Sequence, residues 1–118
     1  HLSVTIGRKI MRYDVQADDT VANGIEFLDV EGNDGLKVDA QGNVFSTTGA
    51  GPGEVRITSS AGKRLGTLKL PQPAGEPRDQ ICATNVGFGD ADGRSLYITA
   101  CTHVYRVRHN SPGGKPNG

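Results

Sequence analysis

The sequence predicts an all-β chain, a partial β-propeller of about two and a half four-stranded antiparallel blades. Three observations carry this expectation. Glycine and proline, 17 and 6 in 118 residues, interrupt the chain so often that only residues 8–23 and 94–111 offer room for a long helix. Both stretches instead carry β-branched residues in short alternation, as in Leu96-Tyr97-Ile98-Thr99 and Val104-Tyr105-Arg106-Val107. Second, setting Leu2 over Leu96 aligns LSVTIGRKIMRY with LYITACTHVYRV without a gap. Leu2/Leu96, Thr5/Thr99 and Arg12/Arg106 are identical, and Val4/Ile98, Ile10/Val104 and Tyr13/Val107 keep their apolar character. Third, a further copy lies between these two: Val44-Phe45-Ser46-Thr47 matches the first strand and, after a two-residue insertion, Val55-Arg56-Ile57 matches the second. Arg12, Arg56 and Arg106 thus recur at intervals of 44 and 50 residues, the spacing of propeller blades.

The remaining elements follow in order, with a blade's strands lettered A to D outward from the axis. Residues 2–13 supply B and C of a first blade. The polar turn QADDT leads to its D strand, GIEFLDV, at 24–30. Asp34 to Asp39 form the next A strand, and Ala40-Gln41-Gly42-Asn43 turns the chain into B. After C, the turn SSAGK leads to D at 64–70, RLGTLKL. Residues 71–83, rich in proline and charge, connect to the A strand Asn85 to Asp90, and Ala91-Asp92-Gly93-Arg94 turns into the last B and C strands. Residues 1–109 are therefore expected to form the partial propeller, and 110–118 (NSPGGKPNG) a flexible tail.

Composition narrows the function classes. Lys+Arg 13 balance Asp+Glu 13, and there are three Tyr, three Phe and no Trp. That excludes the basic stripe with stacking rings of a nucleic-acid surface. No apolar run of about 18 residues exists to span a membrane as a helix. The chain reads as soluble, with a cytoplasmic or periplasmic compartment left open. Cys82 and Cys101 form neither a CxxC pair nor a zinc pattern, and are expected as small buried hydrophobes. Gly49-Ala50-Gly51-Pro52-Gly53 has no helix after it to cradle a phosphate. His1, His103 and His109 lack metal-ligand spacing, and no G-x-S-x-G elbow is present. Asp39 and Asp90 open A-to-B hairpins; Asp90-Ala91-Asp92-Gly93 lacks the span and terminal Glu of a calcium loop. Arg12, Arg56 and Arg106 are expected to pack their stems and pair their heads on the C strands.

Together, RKIMRYDV, NDGLKVDAQGNVF, AGKRLGTLKLP, ATNVGFGDADGRSLYITACT and VYRVR resemble the C-terminal portion of the gluconolactonase-like family that includes senescence marker protein and regucalcin. The resemblance covers residues 4 to 109 and implies a six-bladed propeller with a divalent cation at the top of its channel, held by Glu, Asn and Asp side chains. It also implies hydrolysis of sugar lactones. The family's ligand Asp, which doubles as acid/base, maps onto Asp34, making Asp34 the candidate catalytic residue and metal ligand. A carboxylate there is the hard oxygen donor that Ca²⁺ prefers, with Zn²⁺, Mg²⁺ and Mn²⁺ as alternatives. Asn85 opens the next A strand and is the candidate substrate-binding residue; its bland alternative is a side chain bonded to the local backbone.

The sequence departs from the family at Asn33, where a proline usually precedes Asp-Gly, and at GEPRDQIC (75–82), which looks inserted. The segments that bear the family's Glu and Asn ligands have no counterpart in this chain. The expected function is therefore a metal-dependent hydrolase of sugar lactones with an incomplete site. The alternatives are a non-catalytic propeller fragment acting as a binding or assembly module, or a calcium-binding protein. Open strand edges imply a partner, either a second copy of the chain or the missing N-terminal propeller segments.

Overall fold

The computed structural model describes residues 2–6, 9–29, 34–49, 53–71, 82–110 and 113. These form β1 (Leu2–Ile6), β2 (Lys9–Val15), β3 (Val21–Asp29), β4 (Leu36–Val38), β5 (Val44–Thr47), β6 (Glu54–Thr58), β7 (Arg64–Lys69), β8 (Asn85–Gly89), β9 (Ser95–Ala100) and β10 (His103–Arg108). No helix occurs among the described residues, hence none long and apolar enough to cross a membrane. The strands make three antiparallel sheets of consecutive neighbours, β1-β2-β3, β4-β5-β6-β7 and β10-β9-β8. This is the expected division into B, C, D, then A to D, then A, B, C.

The repeat is reproduced in the register. Leu2 faces Tyr13 and Thr5 faces Ile10; in the last sheet Leu96 faces Val107 and Thr99 faces Val104. The two pairs run in corresponding register, as the gapless alignment of the two segments requires. Strand ends depart from the sequence reading where side chains intervene. β3 starts at Val21 rather than 24 because its pairing with β2 shifts register twice, which carries the ladder past a bend at Asn23 (φ 56). Asn23 is anchored there by donating its Nδ2 to Asp14 Oδ2 at 3.1 Å. β4 ends before Asp39, whose carboxylate folds into the turn and accepts from the backbone of Gln41 and Asn43 at 2.9 and 2.8 Å. Gly42 and its counterpart Gly93 close these A-to-B turns at φ 85 and 67, in the left-handed region that favours glycine.

The chain divides into two compact units, His1–Asn33 and Asp34–Gly118. In the first, Lys9 pairs with Glu26 at 2.9 Å and the Arg12 guanidinium lies 5.3 Å over the Phe27 ring. In the second, the two sheets share a core of Phe45, Val55, Leu70, Ala83, Val86, Leu96, Ile98 and Ala100. Burial alternates along β9, with Leu96, Ile98 and Ala100 inward, whereas all four residues of β5 are buried. Complete burial of side chains this size contributes about 1.5–3 kcal/mol each. Gly49 and Ala83 exchange two backbone bonds, of 2.7 and 3.0 Å, and so tie the β5–β6 loop to the approach to β8. In the segment expected as a tail, Gly113 bridges to Asp39 and donates to the Gly93 carbonyl at 3.0 Å.

The cysteines correct the sequence reading. Cys82 and Cys101 are joined in a disulfide, with Cα atoms 5.5 Å apart, and Cys101 is exposed. The cause is the β8–β9 hairpin: its register sets Asn85 opposite Thr99, so the chain just before β8 arrives beside the chain just after β9. A sequence separation of 19 thereby becomes a bridgeable distance.

The turn after β8 differs from its counterpart after β4. Asp90 accepts from Ser95 Oγ and, at 2.7 Å, from Tyr97 Oη, with Arg106 and Arg108 at 3.7 and 3.8 Å. Arg108 also forks onto both carboxylate oxygens of Asp92. The hydroxyl donors hold the Asp90 carboxyl below its ordinary range, and the Arg108 fork holds Asp92 well below it. Both folded values are depressed, so the stabilisation is present above the unfolded carboxylate pKa of about 3.9 and is lost as the pH falls through the folded values. Arg108→Ala is expected to destabilise the fold at neutral pH and to raise the midpoint of acid unfolding, followed by circular dichroism. The gap between the two proteins should shrink at the acid end; a gap that is constant with pH would contradict the assignment.

Candidate functional site

The two candidate residues lie at the starts of β4 and β8, which adjoin at one end of the second unit through Gly35 and Asn85. The chain runs into β4 through Asp34 and Gly35, which are gripped by Thr47 at the end of β5. Asp34 N donates to Thr47 O at 3.1 Å, and Thr47 N donates to Gly35 O at 2.9 Å. Gly35 N donates to the Thr47 hydroxyl at 2.8 Å. With the backbone so occupied, the Asp34 side chain is left exposed, and its carboxylate has no hydrogen-bond or ion-pair partner among the described residues.

Asn85 opens β8 and is exposed. Thr84, the residue before, is fixed to Thr99 by its backbone N–H at 2.9 Å and by a hydroxyl pair at 2.9 Å. The starts of the two strands approach closely: a Cβ on Gly35 would lie 2.5 Å from Asn85 Oδ1 and 2.9 Å from the Thr84 carbonyl oxygen. Glycine is thus the residue that lets the start of β4 lie against the start of β8. Asn85 Oδ1 also accepts from Val86 N at 2.9 Å, which leaves the Nδ2 hydrogens as the donors free for a ligand.

The strand starts that carry Asp34 and Asn85 therefore adjoin through Gly35, whereas Asp39 and Asp90 lie at the far ends of β4 and β8, about 17 Å away at strand rise. Among the described residues no three His, Cys, Asp or Glu side chains gather as a metal-binding group. Asp34 supplies one hard oxygen donor, which suits a divalent cation as a single ligand and not as a whole site. Thr47, Thr84 and Thr99 are not singled out by the sequence reading. For Thr47 and Thr99 the repeat is an available signal: aligning Val44-Phe45-Ser46-Thr47 with the first strand of the pair sets Thr47 in line with Thr5 and Thr99.

Three antiparallel sheets of consecutive strands, with A strands that start together in the second unit, define a part of a β-propeller. The chain belongs to the family described as the SMP-30/Gluconolactonase/LRE-like region, which matches residues 2–102. Its fold is similar to that of a luciferin-regenerating enzyme, with a TM-score of 0.74 and 23% identity over 91% of this chain and 40% of that one. It is also similar to an X-ray structure described as a "putative gluconolactonase", with a TM-score of 0.66 and 26% identity over 92% of this chain and 34% of that one. The chain thus spans well under half the length of these solved structures. No curated protein matches it.

Proposed function

We propose that the chain contributes Asp34 and Asn85 to the site of a metal-dependent sugar-lactone hydrolase, completed by propeller segments outside these residues. The observation that carries this reading is the exposed Asp34 carboxylate, without a hydrogen-bond or ion-pair partner among the described residues, on a strand start whose next residue, Gly35, lies against Asn85 within a gluconolactonase-like family fold. A bound divalent cation, Ca²⁺ first and Zn²⁺, Mg²⁺ or Mn²⁺ as alternatives, would supply Lewis acidity toward the lactone carbonyl, with Asp34 as one of its ligands. The chain's own part is proton transfer and orientation. The Asp34 carboxylate takes a proton from the water that attacks the acyl carbon. The ring C–O bond then breaks, and the same proton passes to the departing alkoxide, giving the open hydroxy acid. Asn85 Nδ2 orients the sugar by donating to one of its oxygens.

β10 favours a second reading, that of an assembly module. Among the described residues it pairs with β9 alone, and Val104 on it is 68% exposed. An open edge of this kind invites a second copy or a further propeller segment. The two readings part in one experiment: turnover of gluconolactone by the purified chain, titrated with each of the four cations, alone and with Asp34→Ala. Turnover that Asp34→Ala lowers about 10²-fold or more supports the hydrolase. Turnover unchanged in the variant refutes the role of Asp34; association of the chain seen by light scattering, with no turnover under any cation, supports the module.

A further inference from the structure

We infer that Thr47 is a positioning residue, whose hydroxyl sets the Asp34–Gly35 segment against the Thr84–Asn85 segment. The inference rests on the reading of Asp34 as a site group. Thr47 is 1% exposed and so lies beneath the site rather than in it. Its Oγ1 accepts from Gly35 N at 2.8 Å and turns its own proton toward two carbonyls, Gly35 O at 3.2 Å and Thr84 O at 3.1 Å. The bond to Thr84 crosses 37 residues of sequence and links one sheet to the next. One atom thereby joins the residue after Asp34 to the residue before Asn85. Nearby backbone bonds restrain each segment to its own sheet: Asp34 N and Gly35 O to Thr47, and Thr84 N to Thr99. The Gly49–Ala83 bridge also crosses between the sheets, but it meets the β8 approach one residue earlier and does not touch Gly35. Removing the hydroxyl leaves a buried N–H without its acceptor and frees the start of β4 to move relative to Asn85.

The same sheet contains its own control. Thr58 is equally buried, at 1% exposure, and its Oγ1 has no hydrogen-bond partner among the described residues. Thr47→Val and Thr58→Val thus make one chemical change in one core, and only the first breaks the link between the start of β4 and the start of β8.

The test is nuclear magnetic resonance on the 118-residue chain. In Thr47→Val the Gly35 amide is expected to exchange at least about tenfold faster and the Asn85 side-chain amide signals to move, with the fold retained by circular dichroism. In Thr47→Ser, which keeps the hydroxyl, and in Thr58→Val both should stay within about twofold of the parent. A calcium titration followed at the Asp34 carboxyl carbon should shift its midpoint at least about threefold in Thr47→Val alone. Gly35 exchange matching the parent in a folded Thr47→Val, or equal changes in Thr58→Val, overturns the inference. If Thr47→Val does not fold, Gly35 protection equal in the parent and Thr47→Ser supports it, and loss of protection in Thr47→Ser overturns it. An Asp34 carbon that ignores calcium in the parent shows that the chain alone does not hold the cation, and the exchange result then judges Thr47.

Discussion

Phe45→Ala is expected to lower the unfolding free energy by about 3–5 kcal/mol, the range for emptying a fully buried aromatic position. Phe45 is 0% exposed at the centre of the second unit, where its ring meets Phe88 edge-on at 5.3 Å and His109 at 4.9 Å. Three elements therefore lose contact at once: β5, β8 and the residue that follows β10. A chain of this size has only about 5–15 kcal/mol to lose, so the variant should melt far earlier or populate the unfolded state without denaturant. Urea unfolding followed by circular dichroism measures it. A loss below about 1 kcal/mol would mean that Phe45 does not fill the space between the two sheets.

Breaking the Cys82–Cys101 disulfide comes next in size. The bond closes a loop with a sequence separation of 19, for which chain entropy alone gives about 3 kcal/mol. Cys82→Ser/Cys101→Ser, or the parent in reductant, should show a matching fall in the urea midpoint. The effect should be concentrated at one end of the last sheet: amides of Thr84 and Asn85 should exchange faster, while those of β6 and β7 stay as they were. The location matters because the bond lies close to Thr84, which holds the start of β8 against Thr99. A double variant with unchanged stability would show that the β8–β9 hairpin needs no clamp.

What was legible in the sequence was what repeats. The gapless match of LSVTIGRKIMRY to LYITACTHVYRV is a statement about register, and the pairs Leu2–Tyr13 and Leu96–Val107 realise it. Asp34 was singled out by its family motif and Asn85 by its place at the next strand start; the structure sets Gly35, next to Asp34, against Asn85. The rest depends on distances that no short-range pattern encodes. Cys82 and Cys101 meet only because the β8–β9 register folds one onto the other, so their spacing reads as that of two unrelated thiols. Thr47 acts across 37 residues through one hydroxyl; the repeat sets it in line with Thr5 and Thr99, but nothing in a short-range pattern says which carbonyl that hydroxyl reaches. Asn23-Gly24 carries the composition of a turn, yet it forms a bend within β3 because the ladder to β2 spans both sides of it.

The central claim is that the starts of β4 and β8 lie against each other, with Gly35 in contact with Asn85. A nuclear Overhauser measurement on the oxidised chain tests it most directly. The account predicts cross-peaks between the Gly35 α protons and the Asn85 side-chain protons, since a Cβ at Gly35 would stand only 2.5 Å from Asn85 Oδ1 and 2.9 Å from Cγ. With both sets of signals assigned and the chain folded, absence of those cross-peaks would contradict it.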